Sequence, residues 1–353
     1  MKRHDNSRRI VVTGGCGFIG CNLADSLLAG GERVVVVDNL SRPGVEQNLA
    51  WLRQRHRGRL RAEIVDIRAA EAMRSVVAEA DAVFHLAAQT AVTTSLLDPV
   101  EDFEINARGT LNMLEAARAA GDIPVIFAST NKVYGSLADI ETGDVGEDHM
   151  PVDATIRRHG IGEERPLDFS TPYGCSKGVA DQYVLDYAKS YGMRTAVLRM
   201  SCIYGPRQFG TEDQGWVAHF LIRALSGQPI TIFGDGRQVR DILHVSDAVA
   251  AYRSVLDNID RLQGKAFNLG GGPDNAVSLN QVIAVIAEII GRQPDIHRAG
   301  VRTGDQRYFV ADTARLNEAT GWQTKVDWRG GIEKLGTWLG RTRRGEDLER
   351  FVA

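Results

Sequence analysis

Long hydrophobic runs are absent from this sequence. No apolar stretch reaches the ~18 residues that a membrane-spanning helix requires, so no membrane partner is expected. A surplus of positive charge is absent too: 42 Lys and Arg face 45 Asp and Glu, a formal net charge of -3. No global field therefore points to nucleic acid. The basic opening, MKRHDNSRR, lacks the apolar segment of a signal peptide, and residues 1–8 read as a flexible basic tail. Cysteine is scarce. Cys16, Cys21, Cys175 and Cys202 form no CxxC pair, which argues against a disulfide framework and a zinc site. A reducing, cytoplasmic compartment is the expectation.

What is present is an ordinary globular composition, 43% hydrophobic and 25% charged over 353 residues. Short β-branched runs predict strands at 9–13, 33–38, 61–66, 82–87, 124–129 and 195–200. Helical periodicity fills the gaps, as at 18–30, 106–120 and 174–191. Strands apolar on both faces, alternating with helices, predict a Rossmann-type α/β fold with a doubly wound parallel sheet over 9–200. The pattern then changes. Turn signals cluster at YGPRQFG and FGDGRQ, so 201–353 reads mainly as a smaller substrate-binding lobe, with segments returning to the first domain. Ligands of open α/β sheets bind at the carboxyl edge, which places a cleft between the lobes. The polar segment 136–170 reads as a long loop near that cleft.

VVTGGCGFIG places Gly14, Gly17 and Gly20 after a strand and before a helix. Such a turn lets backbone approach a pyrophosphate and aims a helix N-terminus at it. Asp38 ends the next strand, ~20 residues on, where a carboxylate accepts the ribose hydroxyls of a dinucleotide. It would repel a 2′-phosphate, which favours NAD. Arg42 is the counter-signal: it either holds such a phosphate or is a solvated surface residue. Asp66 and Ile67, at the end of the third strand, border the adenine or are an ordinary strand end.

Tyr173 and Lys177 lie four residues apart on one helix and share a face. A phenol titrates near ~10, and a neighbouring ammonium favours its ionised form. The strand IPVIFAS ends in Ser129, Thr130, Asn131 and Lys132. Its end lies near the switch point of a doubly wound sheet, where Thr130 can hydrogen-bond the hydroxyl that Tyr173 deprotonates. Together with a nicotinamide this is a hydride-transfer site.

These motifs, with DNLS at 38–41, HLAA at 85–88, YGCSK at 173–177 and RDILHVSD at 240–247, resemble the extended short-chain dehydrogenases/reductases that act on nucleotide sugars. The resemblance covers nearly all of 9–340. It implies a catalytic set of Thr130, Tyr173 and Lys177. It implies an NAD site of Gly14, Gly17, Phe18, Ile19, Asp38, Asn39, Ser41, Arg42, Asp66, Ile67, Leu86, Ala87, Ala88, Gln89 and Asn106, shared with Tyr173 and Lys177. It also implies a nucleotide-diphosphate sugar as substrate and a homodimer paired through helices near 100–120 and 172–191.

Within that family, sugar 4,6-dehydratases resemble STDEVYG where this chain has STNKVYG, so Asn131 and Lys132 replace a carboxylate pair. Dehydration is disfavoured, and redox-neutral epimerisation remains. STNKVYG, YGPRQF, DQGWV and the segment at 302–312 are similar to the branch that epimerises CDP-linked sugars at C2 through a 2-keto sugar. A UDP-sugar 4-epimerase and a non-catalytic NAD-binding scaffold are the competing readings. The resemblance places Gln208 and Gln214 on the substrate. Thr94, in QTAVTTS, faces the sugar or caps the following segment. Cys202 stands where many relatives carry an asparagine on the diphosphate, and a thiol is a weak donor. Arg240 and Arg302 match diphosphate positions, since guanidinium forks suit phosphate. The alternative is an ion pair between lobes, with Asp241 or Asp305 as partner. Asn131 and Lys132 either meet the sugar, or Asn131 shapes the turn and Lys132 caps a nearby carboxylate. His85 and His244 read as structural histidines, and no metal is expected.

Overall fold

The computed structural model describes residues 7–145, 148–302 and 304–343. The expected tail falls largely on residues 1–6, outside the described residues; Arg8 is ion-paired with Glu32 at 2.8 Å. The strands in chain order are β1 (Arg9–Thr13), β2 (Arg33–Asp38), β3 (Leu60–Ile64), β4 (Ala82–His85), β5 (Val125–Thr130), β6 (Thr142–Val145), β7 (Asp148–Pro151), β8 (Thr195–Met200), β9 (Cys202–Tyr204), β10 (Ile230–Phe233), β11 (Val239–His244) and β12 (Lys265–Leu269). Three short strands follow: β13 (Ala276–Ser278), β14 (Ile296–Ala299) and β15 (Tyr308–Phe309).

The central sheet has seven strands in the order β12-β8-β5-β4-β1-β2-β3, all parallel. Order reverses between β1 and β4, which opens the crevice expected of a doubly wound sheet. Runs such as Val34–Val37 are buried on both faces because helices cover both sides. On one face α1 (Phe18–Ala29), α2 (Val45–Arg55) and a later helix, Val245–Asp257, enclose Leu23, Leu27, Val36, Phe84 and Tyr252. On the other, α3 (Ala70–Val77) and the helices Gly109–Ala119 and Thr171–Tyr191 enclose Met73, Val83, Met113, Phe127 and Val184.

The strands expected at 61–66, 82–87 and 124–129 run instead over 60–64, 82–85 and 125–130. The helix expected from 106 begins regular α geometry at Gly109, after a π-helical turn at Glu104–Arg108. The segment expected as loop over 136–170 holds an antiparallel hairpin, β6–β7, and a short helix, Ala154–His159, capped by Asp153. Its hydrophobic periods are too short to register in sequence. The C-terminal lobe has its own core, with Leu221, Ile232, Val282, Ile286 and Leu335 buried. Helices Trp216–Leu225, Leu279–Ile290 and Trp328–Arg343 surround it. The chain also returns from this lobe to add β12 beside β8.

Candidate active site

One cleft of about 750 Å³ opens along the carboxyl edge of the sheet, between the two lobes. All the expected cofactor residues line it except Asn106 and Lys177, and all the expected substrate residues except Arg240 and Arg302. The expected catalytic residues Thr130 and Tyr173 line it as well.

At one end, β1 runs into the glycine turn. Gly14 has φ 65°, and a Cβ there would lie 2.8 Å from the Ala87 nitrogen. At Gly20 a Cβ would lie 2.1 Å from the Gly14 oxygen. The turn therefore brings bare backbone to the start of α1, whose N-terminus has no side-chain cap. That is a cradle for a diphosphate, and NAD fits it. Asp38 accepts the Cys16 N–H at 3.0 Å and the Leu40 N–H at 2.9 Å, which fixes its carboxylate on the cleft wall. Burial raises its pKa. Arg42 reaches the Thr90 hydroxyl at 3.4 Å rather than pointing freely into solvent. Asp66 is held by Arg68 and by Asn39, which keeps its pKa near about 2.

Asn106 sits behind the wall, on the π-helical turn. Its Oδ1 accepts the Gln89 N–H at 2.9 Å and its Nδ2 donates to the Gln89 carbonyl at 3.0 Å. It reaches the cleft only through the Gln89 loop. The same Nδ2 lies near Asp102 at 3.2 Å and the Ser176 hydroxyl at 3.0 Å. Ser176, between Tyr173 and Lys177, donates to Asp102. Sequence reasoning gave no role to Asp102 or Ser176: neither lines the cleft, no motif marks Asp102, and Ser176 stands inside YGCSK without a partner visible in sequence.

At the end of β5, Thr130 accepts the Lys132 N–H at 3.2 Å, donates to Asn131 Oδ1 at 3.4 Å and lines the cleft together with the Tyr173 phenol. Burial raises the phenol to about 12; the Thr130 hydroxyl opposes this and the Asp102 charge adds to it. Lys177 donates to the Ala128 carbonyl at 2.7 Å and lies 4.1 Å from the Phe127 ring centroid. Burial lowers its pKa to about 7, against the pull of Asp181 and Asp102. Ser129 turns to Asp181 at 2.7 Å, which leaves Thr130 as the hydroxyl beside the phenol. Asn131 donates to Gln306 at 3.4 Å, and Lys132 to the Gly304 carbonyl at 3.0 Å. Burial, then the charge of Arg240, lowers Lys132 to about 8.

Across the cleft, the Cys202 thiol accepts the Trp216 indole N–H at 3.4 Å, and burial raises its pKa. Neither supports a thiolate nucleophile. Gln208 and Gln214 each carry a buried Oε1 with no protein donor. Arg240 and Arg302, expected on a diphosphate, instead hold carboxylates in this structure. Arg240 pairs with Asp305 at 2.6 Å, the alternative partner named from sequence. Arg302 pairs with Glu212 at 2.8 Å and stacks 3.6 Å over the Phe233 ring. His85 is satisfied by Thr13 at 2.7 Å and Thr110 at 3.1 Å. His244 is only half satisfied, since its Nε2 has no partner. Among the described residues no cluster of His, Cys, Asp and Glu could hold a metal, and no helix is long and apolar enough to cross a membrane.

The chain matches the NAD dependent epimerase/dehydratase family over residues 10–270. It is 41% identical to a CDP-paratose 2-epimerase of Salmonella typhi, over 94% of this chain and 98% of that protein. A Thermus thermophilus UDP-glucose 4-epimerase, solved in complex with NAD, is 32% identical; the match covers 94% of this chain and 99% of that one, with a TM-score of 0.79. A dTDP-glucose 4,6-dehydratase from Streptomyces venezuelae, solved with NAD, matches with a TM-score of 0.82 at 27% identity, over 96% and 98% of the two chains. The doubly wound sheet, the glycine cradle and these matches agree on the cofactor, NAD, and on the lineage: the chain belongs to the NAD dependent epimerase/dehydratase family.

Proposed function

We propose that this protein is a nucleotide-sugar 2-epimerase of the CDP-paratose to CDP-tyvelose type, working through a transient 2-keto sugar. The observation that carries the reading is the end of β5. Asn131 and Lys132 line the cleft directly after Thr130, where dehydratases of the family resemble a carboxylate pair. No acid and base stand there to remove water. The relative at 41% identity, named a CDP-paratose 2-epimerase, supports the same choice.

NAD, when bound, supplies reversible oxidation of the sugar carbon. The chain supplies the rest. Tyr173 takes the proton of the reacting hydroxyl, and Thr130 hydrogen-bonds that hydroxyl and orients it. Lys177, one helical turn after Tyr173 and held by the Ala128 carbonyl, supplies the ammonium that favours the ionised phenol once it turns toward it in the loaded site. Asn131 can donate and accept, which suits a vicinal diol. The orphaned carbonyls of Gln208 and Gln214 call for ligand donors such as sugar hydroxyls. Arg240 and Arg302 serve the diphosphate by exchanging their carboxylates for it. The reading includes a homodimer and a reducing compartment, in which the four free cysteines stay thiols.

The test is an NMR screen of CDP-, UDP-, GDP- and dTDP-linked hexoses with the cofactor-loaded protein. Inversion at C2 of a CDP-linked sugar is expected. Inversion at C4 alone would replace this reading with a 4-epimerase. No product and no change in cofactor absorbance with any sugar would leave a binding scaffold. Placing Asp and Glu at 131 and 132 should impair epimerisation while NAD stays bound.

A further inference from the structure

A second cavity of about 630 Å³ lies away from the sheet edge, between α1, α2 and the helix Trp328–Arg343. Trp51 and Trp338 line it from the two lobes. Between them stands Arg207, 6% exposed. Its guanidinium lies 3.8 Å from the Trp51 ring centroid and 5.9 Å from that of Trp338. Among the described residues no carboxylate pairs with it. The nearby Asp25 is already held by Arg55 at 2.8 Å and by His56 at 2.6 Å. Burial lowers the Arg207 pKa to about 10, which leaves it charged at neutral pH.

Asp25 lies on the same wall and its charge acts on Arg207, but among the described residues it makes no ion pair with it; a buried cation so weakly compensated is costly, and a guanidinium stacked on an indole keeps its in-plane N–H groups free. Lys334 and Arg341 add positive charge to the same walls, against the one further carboxylate of Glu333. The backbone at Arg207 is also unusual, with φ 73° in a non-glycine residue. Asn48 links that backbone to the nucleotide turn, donating to the carbonyls of both Cys16 at 3.0 Å and Arg207 at 3.4 Å.

We propose that this cavity is a second ligand site, adjoining the nucleotide cleft across Arg207, which lines both, and that it takes a small oxyanion on the edge of the Arg207 guanidinium between the two tryptophans. The oxyanion is a phosphate or a carboxylate group, since both match a bidentate fork. The site needs both lobes, because Trp51 and Trp338 come from opposite sides of the junction.

Inorganic pyrophosphate is titrated calorimetrically into the full chain with its dinucleotide retained and the cleft first saturated with CDP. Malonate is titrated in a parallel arm. One-site binding that survives CDP is expected, and the tighter of the two probes identifies the source as phosphate or carboxylate. Lys334→Glu lies on an exposed helix face and outside the cleft, so it tests the cavity whatever the cleft binds. It should weaken binding by about tenfold, and Arg207→Met should weaken it further. If Arg207→Met fails to fold, Lys334→Glu decides alone. No binding by either probe, displacement by CDP, or wild-type affinity in Lys334→Glu would overturn the proposal.

Discussion

Tyr173 is buried on the cleft wall with Thr130, and burial holds its phenol up at about 12. Its function as a base therefore depends on the charges brought beside it. Tyr173→Phe keeps the ring packing and removes the proton acceptor. Turnover should fall by roughly 10²–10⁴-fold with the cofactor still bound, as read by activity and by cofactor absorbance. Near-normal turnover would remove Tyr173 from the chemistry. Lys132 makes a second prediction at this scale. Its ammonium titrates near 10.5 when unfolded and near about 8 in place. Between those values the unfolded chain holds more protons, so stability rises with pH across the window, and the burial penalty is fully present below it. The thermal midpoint of wild type should climb more steeply from roughly pH 8 to 10.5 than that of Lys132→Met. Parallel curves would refute the burial account. Motifs made Tyr173 and Lys132 visible in sequence because a helix or strand end fixes their place. Asp102 stayed invisible, and Gln306, though inside the 302–312 segment, gave no sign of its contact: they meet Ser176 and Asn131 across 74 and 175 residues, separations that no local pattern encodes.

Elements with a full hydrophobic period were legible, and those with a special backbone were not. Both β1 and β2 were read to the residue, because four of their positions are buried on both faces. The π-helical turn before Gly109 could not be read, since it arises from packing that gives Asn106 its grip on Gln89. The turn between β1 and α1 is the most constrained local element of the cleft. Gly20→Ala would drive a Cβ into the Gly14 carbonyl, and backbone cannot yield as a flexible side chain would. A loss of about 1–3 kcal/mol of stability is expected, with loss of copurifying NAD. Thermal unfolding and absorbance of the purified variant measure both. Retained NAD at wild-type stability would mean that the turn relaxes.

At the scale of the molecule, one surface is conspicuously apolar. Leu97 is 86% exposed and Val100 70%, with Phe103 beside them and Tyr183 on the helix Thr171–Tyr191 that packs against this region. A monomer exposing such a patch would be unusual. Val100, Phe103 and Tyr183 fall in the regions near 100–120 and 172–191 named from sequence for pairing, while Leu97 ends the helix just before them, and a homodimer through this face is expected. Light scattering of Leu97→Asp/Val100→Asp should then report half the mass of wild type. A monomeric wild type at micromolar concentration would rule the pairing out. The resemblance named these helices, yet sequence could not say which of their residues remain uncovered in one chain.

The last strand of the central sheet has a consequence for how the protein is made. Strand β12 joins β8 only after the chain has left the first domain and traversed the first part of the second lobe, and Asn268 on it accepts the Tyr134 phenol at 2.8 Å and donates its backbone N–H to Glu163 at 2.7 Å. A nascent chain that has left the ribosome only as far as residue 200 therefore exposes the bare edge of β8, an open template for pairing with another chain. The nucleotide-binding half cannot be finished first and kept in waiting. Its closure is postponed to late synthesis, and a fragment cut at the apparent boundary between the lobes would emerge sticky rather than independent.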